Sequence, residues 1–249
     1  MKSNLLILFC LCFSILSGCR VFSPKVYSPK KIEKPVKRLD LSRQGLREIP
    51  ASVFKNKALE VLWLYKNELT EIPKEIKELT NLKKLYIGNN RLTCIPKEIG
   101  DLKNLEILSL QYNEIDSISP TIYGANKLEQ LLLNHNKLKE LPKELGRLEN
   151  LKNLSLTFNY ITRLPPELFN SGSLEFLYLT RNFIDSIPKS IKNSSRIAEM
   201  HLDNAGVFLD LPEELCDLRR MDLLVIDRQV LVPPCLLTRQ TTQLRIQVK

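Results

Sequence analysis

The feature that most limits how this chain can fold is a 23-residue period. A first apolar position recurs at Val36, Leu59, Leu82, Leu105, Leu128, Leu151, Leu174 and Ile197, always 23 residues apart, and then at Met221 after one extra residue. The stretch LEQLLLNHNKLKELPKELGRLEN, residues 128–150, shows one unit in full. Leu128, Leu131, Leu133, Leu138, Leu141, Leu145 and Leu148 are its apolar residues, with Asn136 and Pro142 between them. Its opening LxxLxL alternates, so Leu131 and Leu133 fall on one face of a short strand. Its closing LPxxLxxL is spaced by three, which suits a 3₁₀ or short helical turn on the opposite side. One unit cannot bury its own leucines. Stacked units can, because each lays its apolar edge on the next.

An asparagine keeps the same phase at Asn67, Asn90, Asn113, Asn136, Asn159 and Asn182. Where a strand turns out of a sheet, main-chain groups lose their ladder partners, and a buried amide that both donates and accepts can replace them. These six residues are expected to form a structural ladder. Gln44 holds the slot in the first unit and Ala205 in the eighth, so the ladder is expected to stop after Asn182 unless Asn204 shifts into the slot. The whole pattern, LxxLxLxxNxLxxLPxxIxxLxN, resembles the leucine-rich repeat family over about residues 36–249. The resemblance implies an α/β solenoid, with a curved parallel sheet on the concave side and short helical or 3₁₀ turns on the convex side. It also implies a protein-binding role.

Two places break the pattern. In the fourth unit Ile118-Ser119-Pro120 brings the proline one place late, and Gly124-Ala125 stand where leucine is usual, so the convex side there is expected to be irregular. From about 221 to 249 the repeat shortens into a capping segment. Its end, TTQLRIQVK, alternates as an edge strand, with Arg245 and Lys249 placed to discourage further pairing.

The N-terminus reads as an address rather than as fold. Lys2 precedes an apolar run from Leu5 to about Ile15, too short to span a bilayer comfortably and suited to a secretory signal. It ends Leu16-Ser17-Gly18-Cys19, which resembles the lipobox of bacterial lipoprotein precursors. That resemblance implies cleavage after residue 18 and acylation of Cys19, and two or three acyl chains hold a protein on a membrane durably. In some bacteria an aspartate after the cysteine retains lipoproteins at the inner membrane. Arg20 departs from it, which points to the outer membrane or cell surface. Residues 19–35 then read as the acylated cysteine and a Pro/Lys-rich tether, and 36–249 as the repeat domain.

The formal charge of +9 belongs to the ends. Residues 20–38 carry seven basic side chains and one acid, and 219–249 carry six and two, whereas 39–218 carry 23 and 25. A near-neutral folded segment argues against a nucleic-acid partner, which would need a basic stripe.

Within each unit, positions three, five, seven and eight are expected to face the concave surface and to stack into columns at strand spacing, about 4.8 Å. Read that way, this surface collects Trp63, Tyr65, Tyr86 and Tyr112 in one cluster and Phe158, Phe176, Tyr178 and His201 in another, with His135 and Arg181 beside them. Aromatic side chains rimmed by polar groups are what protein-binding hot spots are made of. The expected partner is a protein, with a glycan as the alternative. The alternative role is a periplasm-facing scaffold. Enzymatic chemistry lacks support. His135 and His201 lie three units apart, no cysteine pair has zinc spacing, and no glycine-rich phosphate loop occurs, so no cofactor or metal is expected. The paired charges of the PKEI and PKEL turns read as a solvated face with local salt bridges. Of the cysteines outside the signal and anchor, Cys216 and Cys235 occupy equivalent parts of adjacent units and allow a staple. Strict disulfide geometry makes separate, partly buried thiols the expectation, with Cys94 unpaired either way.

Overall fold

The computed structural model describes residues 35–239 and 244–249. The signal segment, Cys19 and all of the tether except Pro35 lie outside the described residues. The strands Arg38–Asp40, Val61–Trp63, Lys84–Tyr86, Ile107–Ser109, Gln130–Leu132, Asn153–Ser155, Phe176–Tyr178, Glu199–His201, Leu223–Ile226 and Arg245–Val248 form one parallel ten-stranded sheet in chain order. The register follows the period. Leu39 pairs with Leu62, Leu62 with Leu85, Leu131 with Leu154 and Leu177 with Met200. From Leu62 to Leu224 the central residue of each strand is fully buried, while its neighbours on the opposite face are mostly only half-buried. Strict alternation over three residues is enough to fix which face each side chain takes.

The opposite side is built from short turns after extended prolines. Lys74–Glu78, Lys97–Asp101, Pro120–Gly124, Lys143–Arg147, Pro166–Phe169, Lys189–Asn193 and Glu213–Asp217 are 3₁₀ segments. Ala51–Phe54 and Pro234–Arg239 are α-helical at the two ends. The buried apolar residues form one continuous core running the length of the stack. The expected irregularity of the fourth unit does not occur. Ser119 takes the N-cap place held elsewhere by proline, and Pro120 becomes the first residue of the turn, where a missing N–H costs nothing. Ala125 is fully buried in the leucine slot. A Cβ on Gly124 would lie 2.4 Å from the carbonyl oxygen of Gly100, so the turns here meet backbone to backbone and the smaller side chains are what the closer approach requires.

The asparagines bind main chain rather than one another. Asn136 Oδ1 accepts the N–H of Ile115 at 3.0 Å, and its Nδ2 donates to the carbonyls of Leu110 and Leu133, each at 3.0 Å. Asn67, Asn90, Asn113, Asn159 and Asn182 repeat the arrangement. At the eighth unit Asn204 does not shift. Ala205 keeps the slot, and its carbonyl accepts the N–H of Ile184 at 2.5 Å. The Asn204 N–H donates to Asp227 Oδ2 at 2.6 Å.

Two further expectations are corrected. Cys216 and Cys235 form a disulfide across a Cα separation of 5.9 Å, joining the turn Glu213–Asp217 to the helix Pro234–Arg239. Stacking brings equivalent parts of adjacent units within bridging range, which sequence spacing alone does not show. Cys94 is a free, exposed thiol. The local salt bridges expected of the PKEI and PKEL turns do not form among the described residues, and the ion pairs involve other side chains and run mainly between units: Glu60 bridges Lys37 at 2.9 Å and Lys83 at 3.0 Å, and Lys152 meets Glu129 at 3.1 Å. At the C-terminal end, Lys249 Nζ reaches Asp203 Oδ2 at 3.0 Å, and Asp203 also accepts from Thr180 Oγ1 at 2.9 Å.

Candidate functional site

Immediately before each ladder slot, whether it holds asparagine, Gln44 or Ala205, the chain turns through a left-handed residue. Arg43, Lys66, Asn89, Tyr112, His135, Phe158, Arg181 and Asn204 all have φ between 53° and 59°. Parallel hydrogen bonding continues through this turn, with the Tyr112 N–H donating to the Asn134 carbonyl at 2.9 Å and that of His135 to Thr157 at 2.8 Å. Successive turns therefore stay in register, and their side chains project from the rim of the sheet in a row. Asparagine visits this conformation readily, whereas the ringed residues pay about 1–2 kcal/mol each for it. That row was placed with the strand columns on sequence grounds, because tyrosine, histidine, phenylalanine and arginine carry no signal for a left-handed turn.

The rings group accordingly. Tyr112 stacks on His135 at 4.2 Å between centroids, His135 on Phe158 at 4.1 Å, and the Arg181 guanidinium lies 4.7 Å over the far face of Phe158. The two clusters expected from the columns are thus redistributed. Trp63 and Tyr86 form a separate stacked pair on the sheet face, 5.9 Å apart and 7° from parallel. Tyr178 and His201 form another at 4.8 Å, tilted by 47°. Tyr65 is exposed beside Gly88, and Phe176 is half-buried in the strand next to Tyr178.

Electrostatics separate these groups. Burial between its neighbours, with Arg181 adding repulsion, holds the His135 imidazole below its ordinary value, so it is neutral at neutral pH. Burial pushes the Tyr178 hydroxyl up, and the nearby Glu199 carboxylate adds to this at 3.4 Å. Burial would raise the Asp203 carboxyl, but hydrogen bonds from Lys249 and Thr180 outweigh it and leave it low. Ser109 and Ser155 sit buried on the sheet face, and Ser109 donates to the Gln111 side chain. Among the described residues no three His, Cys, Asp or Glu side chains gather where they could hold a metal.

A second row was missed. Tyr160 and Phe183, two places past the left-handed turns, stack 6.1 Å apart and are 52% and 54% exposed. Other units carry Glu68, Arg91, Glu114 and Lys137 at that place, and this switch from charge to ring was the available signal. In the eighth unit, which carries the extra residue, Val207 and Phe208 are 69% and 89% exposed. Between the two rows runs a groove of about 550 Å³ whose lining includes His135, Lys137, Phe158, Tyr160, Arg181 and Phe183.

The sequence of residues 34–92, 80–138 and 149–205 matches the leucine-rich repeat family. Among solved structures, a leucine-rich repeat protein of Leptospira interrogans is 36% identical with a TM-score of 0.68, over 77% of this chain and 48% of that one. The leucine-rich repeat ectodomain of the Arabidopsis thaliana membrane receptor kinase GASSHO1/SCHENGEN3, solved in complex with Casparian strip integrity factor 2, is 28% identical with a TM-score of 0.63, over 72% of this chain and 23% of that one. An internalin of Listeria monocytogenes shares the fold at 18% identity and a TM-score of 0.69, over 84% of this chain and 60% of that one. This chain therefore spans about half the length of the Leptospira protein and less than a quarter of the plant ectodomain. Comparison with curated proteins gave no match. The family match extends over more than half of the sequence and coincides with the stacked units, so the chain belongs to the leucine-rich repeat family.

Proposed function

We propose that this chain is a protein-binding module of a bacterial cell envelope, anchored through acylated Cys19 and displayed at the outer membrane or cell surface. The observation that carries the binding reading is the Trp63–Tyr86 stack on the sheet face, which is the concave face of the proposed solenoid. Trp63 and Tyr86 are only half-buried there, whereas the leucines between them are fully buried. Large rings held flat against each other lose little further conformational entropy on binding and offer apolar area with polar tips, the character of interface anchors. Phe176, Tyr178 and His201 extend the same proposed surface towards the C-terminal end, and Tyr112, His135, Phe158 and Arg181 border it at the rim. The Arabidopsis ectodomain, which is solved with a protein factor bound, supports a protein partner by likeness. The lipobox-like Leu16-Ser17-Gly18-Cys19 supports the anchor.

Capture experiments with the mature chain test the binding reading. Replacing Trp63 and Tyr86 together by alanine is expected to abolish retention of a captured protein while the variant keeps its circular dichroism spectrum. Undiminished capture by the folded variant would remove the sheet face from the reading. Protease shaving of intact cells tests display, since a periplasm-facing scaffold would survive it uncut. Mass spectrometry of the mature N-terminus tests the anchor: a peptide starting at an acylated Cys19 supports it, and an unmodified one refutes it.

A further inference from the structure

The groove between the left-handed row and the Tyr160–Phe183 row carries a chemistry of its own. Arg181 at its edge is exposed and seated on Phe158. Among the described residues no carboxylate lies within salt-bridge distance of its guanidinium. The other strong cation, Lys137, is already paired with Glu114 at 2.7 Å. None of the described residues lining the groove is Asp or Glu. A guanidinium held over a ring keeps its in-plane N–H donors free and pre-oriented, and that planar fork matches a carboxylate. The walls are apolar but of a particular kind. Tyr112, His135 and Phe158 use their faces on one another, and Tyr160 and Phe183 do the same. Both faces of Phe158 are therefore covered, by His135 and by Arg181, and Tyr160 and Phe183 each have one face covered by the other. A pyranose packs on an open ring face, which Phe158 does not offer, whereas an aliphatic or aromatic side chain packs on faces and edges alike. The amides of Asn136, Asn159 and Asn182 in the floor are engaged with main chain, which leaves Asn204 at one end as the asparagine open to a ligand.

We propose that this groove is a recognition site for an extended peptide segment carrying a carboxylate beside an apolar side chain, with Arg181 taking the carboxylate and Tyr160 and Phe183 the apolar group. The site rests on the protein-binding reading and deepens it, at a place separate from the Trp63–Tyr86 stack. The carboxylate is that of an Asp or Glu side chain or of a chain terminus, and amidated and free-acid versions of one peptide distinguish these sources.

The test is selection of a displayed random dodecapeptide library on the mature chain, followed by titration of synthetic versions of the enriched sequences. Arg181→Asn is the informative variant, because asparagine already occupies the same left-handed slot at Asn89 and Asn204. Enriched peptides are expected to pair an acid with an aromatic or aliphatic residue. Their affinity is expected to fall about 10–100-fold in Arg181→Asn, to fall similarly in Phe183→Ala, and to stay unchanged in Lys143→Ala on the opposite, convex side. Peptides that lose binding in Trp63→Ala and not in Arg181→Asn would overturn the groove assignment while leaving the protein-binding reading intact. No enriched peptide at all would overturn the groove assignment, while the protein-binding reading is decided by the capture experiment. Binding of a sialylated or uronic-acid oligosaccharide that Arg181→Asn abolishes, without peptide binding, would overturn the peptide assignment in favour of an acidic glycan.

Discussion

Replacing Asn136 with alanine removes four hydrogen bonds from a residue that is 5% exposed, the weakest a 3.4 Å contact to the Asn134 carbonyl, and the losses are unequal. The Leu110 carbonyl keeps a bond from Asn113 Nδ2 at 3.0 Å, and the Leu133 carbonyl keeps one from Asn159 Nδ2 at 3.0 Å. Each loses only a second donor. The Ile115 N–H loses its acceptor and is left buried without a partner. An orphaned buried donor costs about 1–3 kcal/mol, and two carbonyls falling from two bonds to one add about 0.5 kcal/mol each. The sum is about 2–4 kcal/mol, which corresponds to a fall in Tm of about 5–15 °C for a chain of this size. Asn136→Asp sharpens the reasoning. The carboxylate still accepts from Ile115, but it turns a second oxygen towards the two carbonyls, so at neutral pH it is expected to destabilise more than alanine does. Urea denaturation of the mature chain and both variants, followed by circular dichroism, gives the comparison. An aspartate variant as stable as the parent, or more stable than the alanine variant, would refute the account of the ladder as a source of both donors and acceptor.

The Cys216–Cys235 bridge closes a sequence separation of 19 residues, a loop for which chain-entropy reasoning gives about 3 kcal/mol. Cys235→Ser is therefore expected to destabilise the C-terminal cap by roughly that amount, with hydrogen exchange rising first in 213–239 and least in the central units. The neutral His135 gives a pH signature. Its folded-state affinity for protons is below that of the unfolded chain, so stability is complete above the ordinary histidine range and declines as pH falls through about 6.5 and below. His135→Asn is expected to flatten the decline between about pH 7 and 5. The low carboxyls, Glu60 at about 2 among them, hold their contribution above the ordinary carboxylate range and lose it only as pH drops from there towards that value, so they do not blur the histidine window.

The period made the stacking legible because each unit repeats the same burial problem. Once Leu131 must point inward, Leu108 and Leu154 must do so at the same height. The same logic carried the sheet order and the place of every ladder asparagine. The fourth unit was misread because one slot was judged by residue type. In the folded chain Pro120 enters the turn one place late at no cost, and Ala125 with Gly124 suits a closer approach of neighbouring turns. The candidate site was less legible. Which residues occupy the sheet face followed from alternation, but the left-handed turn at Tyr112, His135 and Phe158 contradicts what those side chains prefer alone. Ring stacking compensates for it, and stacking is a property of neighbours 23 residues apart. The disulfide was hidden for a similar reason, since the distance between two turns depends on how tightly the intervening coil closes.

Residues at the left-handed bend bear on neither the interior nor the asparagines behind them, so their identities can drift without unsettling the spine of the molecule. The eight bends already hold six kinds of residue, from lysine to tyrosine to asparagine. A lineage of such chains could rewrite what it grips one letter per coil, with no insertion and no new loop. Because the occupants from Tyr112 to Arg181 lean on one another, rewriting there would favour changes that arrive as adjoining pairs.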